Sequence, residues 1–105
     1  MYDNYNISIK ELSFEWNIKK NEINKRKHGI AFEEALTVFL DENAILFDDP
    51  EHSVLEERFL IIGISEGNRL CIVSHCYRNQ TGIIRIISAR RASRNESQAY
   101  YRQEG

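Results

Sequence analysis

Between Arg58 and Arg90 the chain reads RFLIIGISEGNRLCIVSHCYRNQTGIIRIISAR. Three β-branched runs, Arg58 to Ile64, Arg69 to Arg78 and Ile83 to Arg90, are separated by the short polar links Ser65 to Asn68 and Asn79 to Gly82. Runs this rich in Ile and Val, bounded by Gly and Asn, are strand signals, and links this short are hairpin turns. The stretch therefore predicts an antiparallel meander. Upstream, Asn43 to Phe47 reads as a fourth short strand, closed by the turn-forming Asp48-Asp49-Pro50. Downstream, Ser93-Arg94-Asn95-Glu96 has the spacing of a capping box and starts a helix that runs toward Tyr101.

Ahead of the meander, Phe32, Ala35, Leu36, Phe39 and Leu40 recur at helical spacing, with Glu33 and Glu34 in the positive first turn. A more polar helix is predicted from Asn17 to His28, introduced by Phe14, Trp16 and Ile18. Lys25, Arg26, Lys27 and His28 stand at its negative end and Gly29 just beyond it. Residues 1–13 are polar and aperiodic and read as a variable arm, with a short strand at Ile7 to Ile9 as an option. The prediction is thus an α+β domain over residues 14–105: two N-terminal helices, a four-stranded, mainly antiparallel sheet and a C-terminal helix.

A chain of 105 residues, 42% of them hydrophobic, is enough for one core. The net charge of −2 gives no global signal for nucleic acid, but its distribution is uneven. Residues 1–27 carry +2, residues 28–57 carry −9 with no Lys or Arg, and residues 58–105 carry +5 from eight Arg, with no Lys. Arg is the side chain whose planar fork grips phosphate at two points. The acidic segment is either a solvated face or a surface for a basic partner. Cys71 and Cys76, five residues apart in one strand, face opposite sides and are expected not to bridge. With no signal-peptide pattern and no long apolar run, the expected compartment is the cytoplasm, without a membrane segment.

Chemistry has few candidate carriers. The histidines at 28, 52 and 75 lack metal-ligand spacing, and no phosphate-binding glycine loop or serine elbow is present, so neither a metal nor another cofactor is expected. What remains is arginine. Arg85 stands inside an apolar strand and needs a partner, for which Glu57 is one option; Arg90, Arg91 and Arg94 gather where that strand passes into the last helix. Those guanidinium groups are either a solvated helix start or, with the helix N–H groups, an anion site. By strict alternation Arg85 shares a face with Ile83, Ile87 and Ala89, and Arg90 lies on the other. His28 is a candidate acid or base beside Lys27, or else a helix-end side chain; His52 reads as solvent-facing and His75 as packed in its strand. One of Tyr100 and Tyr101 is expected in the core, the other being available to stack on a base.

Several segments recur together in a known order: Phe14-Glu15-Trp16, Asn24-x-x-Lys27-His28-Gly29-Ile30, Phe32-Glu33-Glu34-Ala35, Asp49-Pro50, Glu57-Arg58-Phe59, Ile62-Gly63, and Arg85 through Ala92 followed by Glu96 and Tyr100. In this the chain resembles the BrnT toxins of type II toxin–antitoxin systems. The resemblance implies a RelE-like fold and metal-independent cleavage of RNA that halts translation. It also implies neutralisation by a BrnA-type antitoxin whose ribbon-helix-helix part binds operator DNA, so that the toxin meets DNA only through that complex. Carried over by motif, His28, Glu57, Arg85 and Arg90 are the expected catalytic residues, and Lys27, Arg58, Arg91 and Tyr100 the expected substrate-binding ones. In that scheme His28 or Glu57 is the base, Arg85 and Arg90 stabilise the phosphorane, and Lys27, Arg58 and Arg91 clamp the substrate. Asn17, Ala31 and Ser74-His75-Cys76 depart from the usual pattern, the first two at helix starts. A different class of function is also open: a non-catalytic antitoxin-binding or regulatory module derived from such a toxin, which the near-balanced charge favours.

Overall fold

The computed structural model describes residues 4–9, 11–52, 56–78 and 82–103. Its strands are β1 (Asn4–Ile9), β2 (Leu12–Asn17), β3 (Ile45–Asp48), β4 (Phe59–Ile64), β5 (Leu70–Arg78) and β6 (Ile83–Arg91). Its helices are α1 (Ile18–His28), α2 (Phe32–Ala35) and α3 (Arg94–Arg102), with 3₁₀ turns at Leu36–Leu40 and Pro50–His52. The strands form one sheet in the order β1-β2-β6-β5-β4-β3. The predicted meander is present as β4, β5 and β6, joined on its outer side by β3, all antiparallel. Of the two predicted hairpin turns, Ser65 to Asn68 closes with Ser65 N–H donating to Arg69 O at 2.9 Å. Asn79 to Thr81 of the other lie outside the described residues.

The sheet has six strands rather than four, and it is mixed. Phe14 and Trp16, read from the sequence as leading into a helix, belong to β2, and the residues read as an arm include β1, paired with β2 from Asn4↔Asn17 to Ile9↔Leu12. β2 runs parallel to β6 through Phe14↔Ile84 and Glu15↔Arg85. The signal was an alternation: Phe14 and Trp16 are fully buried, and Glu15 between them points to the opposite face and meets arginine. Phe14 lies edge-on to Phe39 at 5.1 Å. Phe14→Ala is expected to cost about 3–5 kcal/mol, the range for deleting a buried aromatic ring, read as a lower midpoint in urea.

Helix α1 forms as predicted. Asn17 is its N-cap, its side chain accepting from Lys20 N–H at 2.9 Å, so the departure from the usual residue there keeps the cap. Gly29 ends it in the left-handed region at φ 73°. The second predicted helix breaks after one turn and continues as 3₁₀. Thr37 Oγ1 donates to Glu34 O at 2.6 Å, a local bond that competes with the α ladder, and accepts from Glu66 N–H at 2.9 Å. Ala31 provides no side-chain cap, but Asn21 Oδ1 accepts the Phe32 N–H at 2.8 Å from across the gap between helices.

One core lies between the sheet and the α2–3₁₀ segment, centred on Phe14, Trp16, Ile30, Phe32, Val38, Val73 and Ile86. His75 belongs to this side, fully buried against Phe39 and Phe59, its Nδ1 3.2 Å from Val73 O; burial pushes its pKa down. A smaller cluster on the other face packs Tyr100 of α3 on Ile62 and Ile72. Cys71 and Cys76 are free and buried, on opposite sides of β5. Among the described residues no helix is long and apolar enough to cross a membrane.

Candidate active site

The arginines converge through an irregularity in β6. The β5–β6 pairing runs from Cys71↔Arg91 to Ser74↔Ser88, then resumes at His75↔Ile86, leaving Ile87 as an extra residue. The bulge reverses the alternation expected from the sequence. Ile84, Ile86 and Ala89 all turn into the core, exposed by 3% or less, so Arg85, Ser88 and Arg90 share the opposite face. Arg91, paired with Cys71, falls on the helix side, where its charge acts on Glu34.

Across the open face one row of side chains reads Phe47, Leu60, Ser74, Ser88 from β3 to β6. Arg58, one residue before β4, falls in the neighbouring row with Cys76 and Arg85. A depression over this floor is lined by Asp49, His52, Arg58, Leu60, Ser74, Ile87, Ser88 and Arg90. A second, lined by Lys20, Ile23, Asn24, Lys27 and His28, meets it at the same Ile87 and Ser88. The bulge is thus the divide between a Lys27–His28 side and an Arg58–Arg90 side.

Asn24 holds that arrangement, and sequence reasoning assigned it no role. Where β2 no longer covers β6, its side chain substitutes for a strand: Nδ2 donates to Ala89 O at 2.8 Å and Oδ1 accepts the Ala89 N–H at 3.2 Å. Nδ2 also donates to Ile30 O at 2.8 Å. The residue is 6% exposed. The last turn of α1, bearing Lys27 and His28, is thereby fastened beside Ser88. The signal available in the sequence was an Asn three residues before the Lys-His-Gly run, at the helical spacing that faces the sheet.

The arginines have carboxylate partners. Arg85 Nη1 and Arg78 Nη1 both donate to Glu15 Oε2, at 2.8 and 2.6 Å, so Glu15 meets Arg85 where the sequence offered Glu57. Arg90 forms a two-point pair with Glu96, 2.8 Å on each arm. Glu96 is also the capping-box residue, accepting the Ser93 N–H at 2.7 Å. The Arg90 guanidinium, helped by that N–H, draws the Glu96 pKa from 4.5 down to about 2. A carboxylate depressed by folding adds stability that is complete above pH 4.5 and is lost as pH falls toward 2. The melting-temperature gap between wild type and Glu96→Gln is therefore expected to be largest near neutrality and to close between those two values.

Two other expected residues stand apart. Glu57 is exposed on the segment entering β4 and lines neither depression. Tyr100 is 3% exposed and donates its hydroxyl to Asp41 Oδ2 at 2.6 Å. Burial raises the Asp41 pKa, but this bond and those from the Ile64 and Asn43 N–H groups more than offset it. Tyr100 is the core member of the tyrosine pair, and Tyr101, 60% exposed, is the outward one. Among the described residues no three His, Cys, Asp or Glu side chains gather as a metal site would require.

A sequence model described as "Ribonuclease toxin, BrnT, of type II toxin-antitoxin system" matches residues 16–96. The chain belongs to the BrnT family. That match runs from the end of β2 through the capping box of α3, and so contains both depressions and the bulge between them. No curated protein matches this BrnT chain.

Proposed function

We propose that this BrnT toxin is a metal-independent endoribonuclease that arrests translation and is held inactive by a BrnA-type antitoxin bearing a ribbon-helix-helix DNA-binding part. The observation that carries the reading is the bulge at Ile87, with Arg58 and Arg90 on one side of Ser88 and Lys27 and His28 on the other. Metal-free cleavage of RNA needs a base for the 2′-hydroxyl, cations for the phosphorane and an acid for the leaving 5′-oxygen. His28 serves as base, Arg58 and Arg90 face the phosphorane, and Lys27 holds an adjoining phosphate. Arg85 supports the cluster from within its pairing with Glu15.

Induction of the wild-type chain in a bacterial host is expected to stop growth and degrade RNA, and co-expression of the neighbouring antitoxin gene to restore growth. Harmless induction with intact RNA would instead favour the binding-module reading. The carboxylates already on Arg85 and Arg90 are the observation in favour of that second reading.

A further inference from the structure

The sequence gives no reason to single out His52, yet it lines the arginine depression together with Arg58, Ser88 and Arg90. The 3₁₀ turn after β3 folds its Nδ1 back to 3.1 and 3.2 Å from the two Asp49 carboxylate oxygens. Asp49 is 13% exposed at its side chain and His52 is 63% exposed, so the carboxylate is anchored and the ring reaches solvent. A carboxylate on Nδ1 fixes the ring's orientation, provides the counter-charge of an imidazolium, and leaves Nε2 as the nitrogen that exchanges a proton with a ligand. His28 occupies the adjoining depression, and the two share Ser88 as their boundary.

We propose that His52, positioned by Asp49, is the general acid of RNA cleavage and works opposite His28 across Ser88. The proposal rests on the ribonuclease reading above. His28 takes the proton of the ribose 2′-hydroxyl as the 2′-oxygen bonds to phosphorus; the bond from phosphorus to the 5′-oxygen breaks, and His52 Nε2 gives its proton to that oxygen. The products are a 2′,3′-cyclic phosphate and a 5′-hydroxyl, one proton having been taken and one given, with no oxidant or co-reactant consumed. Charged groups facing His52 are Asp49 on its own turn, Arg58 ahead of β4, and Arg90 of β6 with its Glu96; Lys20 and Lys27 face His28.

The test uses the full chain freed of antitoxin, in EDTA, on an RNA oligonucleotide cut at one mapped site. The oligonucleotide is made with either oxygen or sulfur as the bridging 5′ atom at that site, and a thiolate leaves without a proton. His52→Ala is expected to slow cleavage of the oxygen substrate by about 10²–10⁴-fold and of the sulfur substrate by less than about tenfold, whereas His28→Ala slows both. Asp49→Asn is expected to lower kcat on the oxygen substrate with little change in KM, and to leave the sulfur substrate nearly unaffected. Equal loss on both substrates in His52→Ala, or no loss on either, would overturn the assignment. A wild-type protein that cuts neither substrate would overturn the ribonuclease reading beneath it.

Discussion

Arg58→Ala is expected to lower the rate of RNA cleavage by about 10²–10³-fold, the usual effect of removing one preorganised donor aimed at developing charge. Among the arginines of the open face it lines the depression from the segment entering β4. Arg85 is bound to the buried Glu15, and Arg90 braces the start of α3 through Glu96, so truncating either disturbs the fold as well as the site. Arg58 lies 3.8 Å from Glu56, a carboxylate that is half exposed. Arg91→Ala, on the helix side of the sheet, is expected to change the rate by no more than about threefold, because a screened charge on the far face adds little to a local transition state. Steady-state kinetics on a defined RNA, with thermal melts alongside, separates the two. Equal losses in both variants would mean that the open face is not where RNA is cut.

A large effect on both fold and activity is expected at Asn24. In Asn24→Ala the Ala89 N–H, the Ala89 C=O and the Ile30 C=O all lose their bonds to this side chain, inside a site that is 6% exposed. Each buried polar group left unpaired costs about 1–3 kcal/mol, so a loss of about 3 kcal/mol or more in urea unfolding is expected. Activity should fall as well, beyond what the unfolded fraction explains, because the Lys27–His28 turn is no longer fixed beside Ser88. Asn24→Asp keeps the acceptor for the Ala89 N–H but faces two carbonyls with no donor, and it is expected to rescue neither property. A variant within about 1 kcal/mol of wild type would show that the amide contributes little beyond an ordinary hydrogen bond.

Much of this architecture was legible in residue pattern. The three strands of the meander, the Ser93–Glu96 capping box and the Lys-His-Gly helix end each rest on local chemistry, and local chemistry is what a sequence displays. β2 was missed because Phe14, Glu15 and Trp16 run directly into α1, so their alternation reads as a helix lead-in unless a partner strand is known. Its partner is β6, roughly seventy residues away and parallel, a pairing no turn announces. The bulge at Ile87 was invisible for a different reason. A β-branched residue in an apolar run looks like any other strand position, and only the register against β5 shows it to be extra. That single residue moved Arg85 onto the face of Arg90 and left Arg91 behind. His52 was passed over because exposure and acidic neighbours suggested a solvated loop; the turn that brings it to Asp49, and Asp49 to the arginines, is tertiary.

The most direct test of the central claim is incubation of purified, antitoxin-free protein with RNA in EDTA, with His28→Ala treated identically. The wild-type chain is expected to cleave discretely, undiminished by the chelator, and the variant far more weakly. RNA left intact by a folded wild-type protein, or cut equally well by both, would contradict it.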